Sequence, residues 1–333
     1  MTIHISGSSL MTTIQDLGRI GYQKFGVNVS GAMDRYSLRL ANILTGNPEN
    51  EGALEITLIG PKLSFDRDTL ISLTGADLSP AVNGVPVPRY RPIAVRAGAV
   101  LTFGRPKLGC RAYLAAAGGF DVPQVMGSKS TYARAGFGGY KGRLIQSGDA
   151  ISTGTPAGIG CVLLKQLLKK SRAAAVWPSW AAGSLYMTRR DIDSPVRFTE
   201  GLQYRDFSKK SRTILEQEPF TVTVHADRMG YRLEGPKLSL SAPMEMISEM
   251  AALGTIQVPP EGYPIILMAD HQSCAGYPEI GQVLLADMGR VAQFGPKQEI
   301  HFKKTDRTEA EDSYMHMEKQ IRKIADAVSY YAR

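Results

Sequence analysis

Val224–Gly235 reads V-H-A-D-R-M-G-Y-R-L-E-G, and Ser30–Leu40 reads S-G-A-M-D-R-Y-S-L-R-L. Each carries Asp-Arg, then a second Arg and a Leu a few residues on: Asp34-Arg35 in one copy, Asp227-Arg228 in the other. Asp77, in L-T-G-A-D, lies 43 residues after Asp34, and Asp270, in L-M-A-D, lies 43 residues after Asp227. Glu55 and Glu249 sit between them at similar offsets, and Gly98…Phe103-Gly104 is echoed by Gly289…Phe294-Gly295. The pattern reads as a duplication, with two similar globular lobes rather than a solenoid.

The flanking sequence is β-rich. Leu54, Ile56 and Leu58 alternate with Glu55, Thr57 and Ile59 before the turn Gly60-Pro61. Short apolar runs follow at 70–74, 93–95, 100–103 and 112–117, and Asn83-Gly84 marks a hairpin. Strands this short and close leave no room for crossover helices, so a mainly β, antiparallel barrel or sandwich is expected in each lobe, with a few short helices. A helix is expected over Ala32–Leu44 and another over Val162–Ser171. The expected organisation is an N-terminal lobe over 1–172, a connection over 173–194, a C-terminal lobe over 195–305 and an amphipathic helix over 306–333. In that last segment Met317, Ile321, Ile324 and Val328 share one face, suited to docking on its own domain.

The chain has 333 residues and a formal charge of +8. No recognition motif accompanies the charge, so nucleic acid is not expected as a partner; an anionic substrate or acidic partner is the plainer reading. Cys110, Cys161 and Cys274 are odd in number and far apart, which suits a reducing, cytoplasmic setting. There is no signal-peptide pattern and no apolar run near the ~20 residues that span a bilayer, so no membrane partner is expected.

No standard catalytic motif is complete. The glycines of Gly118–Gly148 do not form a phosphate loop ending in Gly-Lys-Ser/Thr, there is no biotinyl-lysine signature, and the five histidines show no metal-ligand pairing. The sharpest stretch is Asp270-His271-Gln272-Ser273-Cys274-Ala275-Gly276-Tyr277, dense in acid, base, amide and hydroxyl groups after an apolar strand. Asp270, His271 and Gln272 are the candidate catalytic residues, with Tyr277 able to stack on a ligand. The glycine-rich loop Gly127–Arg143 is expected to face them. It supplies hydroxyls at Ser128 and Thr131 and carboxylate partners at Arg134 and Arg143 for a small planar amide. Asp34, Arg35, Glu55, Asp77, Asp227, Arg228 and Glu249 are expected to orient the site or fix structure.

At these residues the chain resembles a known family. Thr12–Gly21, Ser30–Asn42, Gly46–Gly60, Leu73–Asp77, Arg111–Val125, Gly127–Gly142, Ala226–Gly235, Gly254–Pro260 and Met268–Ile280 are similar to the carboxyltransferase-like family of allophanate hydrolase subunit 2 and the ATP-dependent 5-oxoprolinase C-subunit, the kinase-inhibitor antagonist type. The resemblance implies two cyclophilin-like β-barrel lobes and a complex with a B-type, kinase-inhibitor-like subunit and a third subunit. It implies an ATP-coupled opening of 5-oxo-L-proline to L-glutamate by the assembly, with the isolated chain inactive, the ATP site unassigned and no biotin on this chain. It leaves two alternatives behind that reading: relief of a B-type subunit's inhibition of a sensor histidine kinase, and carboxyl transfer to a urea-like amide. The chain departs from the family at His271, Ser273, Cys274 and Ala275, where relatives carry Arg, two Thr and Gly, at Glu279, where Lys is common, and at Met250, where Gly is common. A histidine meets a carboxylate or phosphate more weakly than an arginine does, and only when protonated.

Overall fold

Leu54 and Ile56 alternate with Glu55 and Thr57, and in the computed structural model the strand Ala53–Thr57 is buried on both faces. The structure describes residues 1–183 and 188–332, so 184–187 of the expected connection and residue 333 of the expected C-terminal segment lie outside the described residues.

The chain divides into two compact units. Met1–Arg19, Ser30–Met187 and Lys319–Arg333 make the first; Ile20–Val29 and Thr188–Glu318 make the second. This differs from a simple split into successive lobes at two places. Ile20–Val29 joins the second unit, where the Asn28 amide donates to the Asp270 carbonyl at 2.7 Å. The end of the helix Arg307–Tyr331 joins the first unit, where Tyr331 stacks on Trp180 with ring centroids 4.9 Å apart. On this helix Met317, Ile321 and Val328 are buried, as its apolar spacing predicts.

The first unit is built from two six-stranded sheets. One contains Thr2–Ser6, Lys62–Phe65 and Val100–Thr102; the other contains Met11–Gln15, Ala53–Thr57, Leu108–Ala116, Thr69–Asp77 and Pro92–Val95. Side chains alternate faces along a strand. Ile3, Ile5, Leu63 and Phe65 therefore meet Ile14, Leu54, Ile56, Ile71 and Leu114 in one core between the sheets. The opposite face of the second sheet is covered by the helix Arg35–Thr45, whose Leu38 and Ala41 pack with Ala53, Tyr113 and Ala115. Asp34 caps that helix by accepting from the Ser37 backbone N–H at 2.9 Å, and Gly46 ends it at φ +73°. A side chain at Gly46 would also collide with the Gly160 backbone, 2.5 Å from its Cβ position.

The second unit carries one eight-stranded sheet. Its two edges are Glu299–Ile300 and Phe302–Lys304, separated in sequence by His301 alone. Ile300 pairs with Phe220 and Phe302 pairs with Val196, so the chain itself joins one edge of the sheet to the other. The result is a nearly closed barrel, which removes free strand edges. Phe198, Phe220 and Phe302 form edge-to-face contacts in its core.

The mainly β class expected from sequence is what the fold shows. The equivalence of the two Asp-Arg copies is corrected. Asp34-Arg35 opens an 11-residue helix, whereas Asp227 forms a tight turn, accepting from Met229 and Gly230 backbone N–H groups at 2.8 and 3.1 Å, and leads into the strand Gly230–Glu234. Glu55 is buried in a central strand, whereas Glu249 is exposed on the short strand Glu249–Met250. Strand order differs accordingly between residues 20–105 and residues 213–303, the stretches around the two copies. Asp-Arg with a following apolar spacing is compatible with a helix cap and with a turn; the surroundings decide between them.

Tyr113 ties the helix to the sheet. Its buried hydroxyl donates to Glu55 Oε2 at 2.7 Å and accepts from the Asp34 N–H at 2.8 Å, and the Met33 N–H also donates to Glu55 Oε2 at 2.8 Å. Burial, with Glu55 beside it, pushes the phenol well above its ordinary pKa. Tyr113→Phe removes one donor and one acceptor from a buried network and is expected to lower unfolding stability by about 1–3 kcal/mol in urea titration. An unchanged midpoint and slope would show that the network is not holding the helix.

Candidate functional site

In the first unit the strand Met11–Gln15 runs into Asp16-Leu17-Gly18-Arg19, and the loop Gly127–Arg143 closes onto it. The Asp16 carboxylate is buried, and a buried charge needs donors. It accepts from the Gly18 N–H at 2.8 Å, the Ser128 hydroxyl at 2.7 Å, the Lys129 N–H at 2.6 Å and the Ser130 hydroxyl. Thr131 donates from its N–H and its hydroxyl to the Ile14 carbonyl, both at 2.9 Å, and the Gln15 amide donates to the Thr131 carbonyl at 3.1 Å. The Arg19 guanidinium, 1% exposed, donates to the Ser130 carbonyl and lies 4.8 Å from the centre of the Phe137 ring. Phe137 meets Tyr132 edge-to-face, closing a small hairpin whose tip, Ala133–Gly136, is exposed and carries Arg134. Gly138 and Gly139 have no space for a side chain, each lying against Ser130 or Thr131.

These contacts correct three expected substrate-binding assignments. Ser128 and Thr131 hydroxyls are committed inside the loop. Arg143 forms a two-pronged ion pair with Asp149, both contacts at 2.7 Å, and the guanidinium hydrogen bonds hold the Asp149 carboxyl below its ordinary pKa. Of the four loop residues expected to bind substrate, Arg134 alone is set at an exposed position.

Neighbouring strands add a polar face that sequence reading passed over. Thr13 pairs with Glu55 and Glu55 with Tyr113; Thr57 pairs with Arg111. Alternation puts Thr13, Gln15, Glu55, Thr57, Arg111 and Tyr113 on one side of three adjacent strands, and all six are buried. The Gln15 Oε1 and Thr57 Oγ1 atoms have no hydrogen-bond partner among the described residues. The face carries a carboxylate, a guanidinium, an amide and hydroxyls, with Glu55 already accepting from the Tyr113 hydroxyl and the Met33 N–H. The available signal was the run of polar residues inside otherwise strand-like segments: Thr12-Thr13 and Gln15-Asp16 at one strand, Arg111 at another.

In the second unit the Asp270 loop is set by an ion pair. Arg228 Nε and Nη2 reach the two Asp270 oxygens at 2.8 and 3.0 Å, with both side chains buried. Asp270 is thereby corrected from candidate acid–base group to an anchor whose two oxygens are both engaged. Asp77 plays a similar part, accepting from the Ser79 N–H at 2.9 Å with Arg89 at 3.8 Å, and Arg35 holds the Leu17 carbonyl at 2.6 Å. His271 is buried, its Nδ1 2.9 Å from the Gln272 carbonyl; burial holds the imidazole below its ordinary value of 6.5, so the ring is neutral at neutral pH. Gln272 and Cys274 are exposed, Tyr277 is 42% exposed, and Cys274–Ala275 pairs with Glu249–Met250. Burial, reinforced by Glu249, raises the Glu279 carboxyl against the lowering effect of its hydrogen bond with Gln257. The Asp270–Tyr277 and Gly127–Arg143 stretches belong to different units.

Among the described residues there is no cluster of His, Cys, Asp and Glu suited to a metal ion, and no helix is long and apolar enough to cross a membrane. All three cysteines are free.

Residues 25–304 match the carboxyltransferase domain family, subdomains A and B. The chain is 38% identical to the 5-oxoprolinase C-subunit of Haemophilus influenzae over 317 residues, covering 94% of this chain and 96% of that one. It is 36% identical to the 5-oxoprolinase C-subunit of Escherichia coli over 300 residues, covering 90% of each. The crystal structure of the K. lactis urea amidolyase superposes with a TM-score of 0.85 at 30% identity, covering 97% of this chain but 20% of that one.

Two outcomes test this geometry. Arg228→Ala leaves the Asp270 carboxylate buried without its partner and is expected to cost about 3–5 kcal/mol of unfolding stability; a loss below about 1 kcal/mol would show that water already reaches the pair. For His271 the unfolded chain takes up a proton before the folded one does. Stability is therefore expected to fall as pH drops below about 6.5 and on through the lower folded value, and His271→Asn is expected to flatten that slope in urea midpoints between about pH 7.5 and 5.5.

Proposed function

This chain belongs to the carboxyltransferase domain family, and on that premise we propose that it is the C-subunit of a cytoplasmic 5-oxoprolinase complex. In this reading the assembly couples ATP hydrolysis to opening the lactam of 5-oxo-L-proline, and this chain works only with a B-type subunit and a third subunit. The observation that carries the reading is coverage from end to end: 94% of this chain matches 96% of a 5-oxoprolinase C-subunit, whereas the urea amidolyase match takes up 20% of that chain.

A lactam acid presents one N–H, one carbonyl and one carboxylate for recognition. On the second unit, the exposed Gln272 amide and the Tyr277 ring are the groups available for ligand contact. The neutral His271, its Nδ1–H directed to the Gln272 carbonyl, leaves Nε2 as an acceptor and carries no charge for a carboxylate.

The test is glutamate formation from 5-oxoproline and ATP by the purified chain, alone and with both partner subunits. Turnover is expected from the full assembly and absent from the chain alone. No turnover in any combination would overturn the reading. Gln272→Ala is expected to reduce assembled turnover about tenfold or more while leaving melting temperature within the small range of surface substitutions. Unchanged turnover would remove the Asp270–Tyr277 loop from the site.

A further inference from the structure

The helix Gly158–Lys170 ends in Lys169-Lys170-Ser171-Arg172, beside Arg96 at the end of the strand Pro92–Val95. Together with Leu168 these residues line an open cavity of about 710 Å³, and no acidic residue is among the lining. Arg96 is built into the wall. Its Nη2 donates to the carbonyls of Leu168 at 3.0 Å and Ser171 at 2.7 Å, and its backbone N–H donates to the Ala174 carbonyl at 2.9 Å. Asp68 stands 3.7 Å from its other terminal nitrogen, and Arg96 Nε is buried without a hydrogen-bond partner among the described residues. Lys169, Lys170 and Arg172 are exposed, and no ion pair of theirs is present among the described residues.

Cations at the last turn of a helix answer the negative end of its dipole, which accounts for one or two of them. Here Arg96 already takes two carbonyls at that end, those of Leu168 and Ser171, and so meets part of the dipole before the other three charges are counted. Four cations against one carboxylate around a cavity in the size range of small-ligand sites leave an uncompensated positive field.

We propose that this cavity is a binding site for a polyphosphate group, separate from the candidate site of the first unit's polar face and from the Asp270 loop. The guanidinium of Arg172 and the ammonium groups of Lys169 and Lys170 take the phosphate oxygens, with Arg96 fixing the floor. The lining offers no aromatic ring and a single apolar side chain, Leu168, so nothing in it stacks on a nucleobase. The site therefore reads the phosphate chain and is indifferent to what the chain carries. Binding is a property of this chain alone and does not depend on the 5-oxoprolinase reading.

The experiment is calorimetric titration of the purified full chain with sodium tripolyphosphate, ATP and inorganic phosphate at low and moderate salt. Tripolyphosphate and ATP are expected to bind with similar affinity, both more tightly than phosphate, and to weaken as salt is raised. Lys169→Gln with Arg172→Gln is expected to weaken tripolyphosphate binding on the order of tenfold, from the loss of two exposed charge contacts. Circular dichroism and melting temperature of the same variant establish that it is folded. Absence of saturable binding, equal binding to the double variant, or ATP binding far more tightly than tripolyphosphate would each overturn the proposal. If the cations serve only the helix end, the double variant loses melting temperature and the parent chain binds none of the three.

Discussion

A carboxylate removed from water must be met by donors or by a cation, and this requirement organises the molecule. Asp16, Asp34, Glu55, Asp270 and Asp287 are all buried. Backbone N–H groups and hydroxyls donate to the first three: the Gly18 and Lys129 N–H groups and two serines to Asp16, Ser37 to Asp34, the Met33 N–H and Tyr113 to Glu55. Each therefore pins a specific length of chain against a sheet. The last two are met by arginines, Arg228 for Asp270 and both Arg197 and Arg290 for Asp287. Losing one partner strands the other as an unpaired buried charge, so these contacts define a single arrangement of the chain around them.

The placement of those carboxylates follows the sheets. Asp16 follows the strand Met11–Gln15 and Asp270 follows the strand Ile265–Leu267, positions where the chain leaves its ladder and its backbone N–H groups need new partners. In the first unit the loop 127–143 supplies the missing groups and is thereby folded down onto Asp16 and Arg19. Its glycines permit the close approach: a side chain at Gly138 would lie 2.1 Å from the Ser130 carbonyl oxygen. A loop so constrained turns its tip outward, and this is why Arg134 is displayed while Ser128 and Thr131 are not.

The Asp270 loop shows how a departure from the family pattern is accommodated. Where the resemblance implies an arginine, this chain carries a buried, neutral His271. Asp270 itself is met by the Arg228 guanidinium, 42 residues earlier in sequence. The loop keeps its shape because its anchor is Asp270; its chemical character changes because an uncharged imidazole follows that anchor. Burial raises the Glu279 carboxyl and lowers the His271 imidazole, each against its own hydrogen bond.

The β character was legible in the sequence, as were helices near Arg35–Thr45, Gly158–Lys170 and Arg307–Tyr331 though with shifted ends, because each rests on periodicity. So was the family, carried by stretches spread along the chain. The sequence could not say that Asp34 begins a helix while Asp227 makes a turn, since the same dipeptide satisfies either backbone and only the packing around it chooses. Nor could it show that Ser128, Thr131 and Arg143 are turned inward, or that Glu55, Arg111, Gln15 and Thr57 share one face. Those residues lie up to about a hundred positions apart and become neighbours only through strand pairing. Local preference is written in neighbouring residues; a polar site built across a sheet is written in register, which the tertiary structure alone determines.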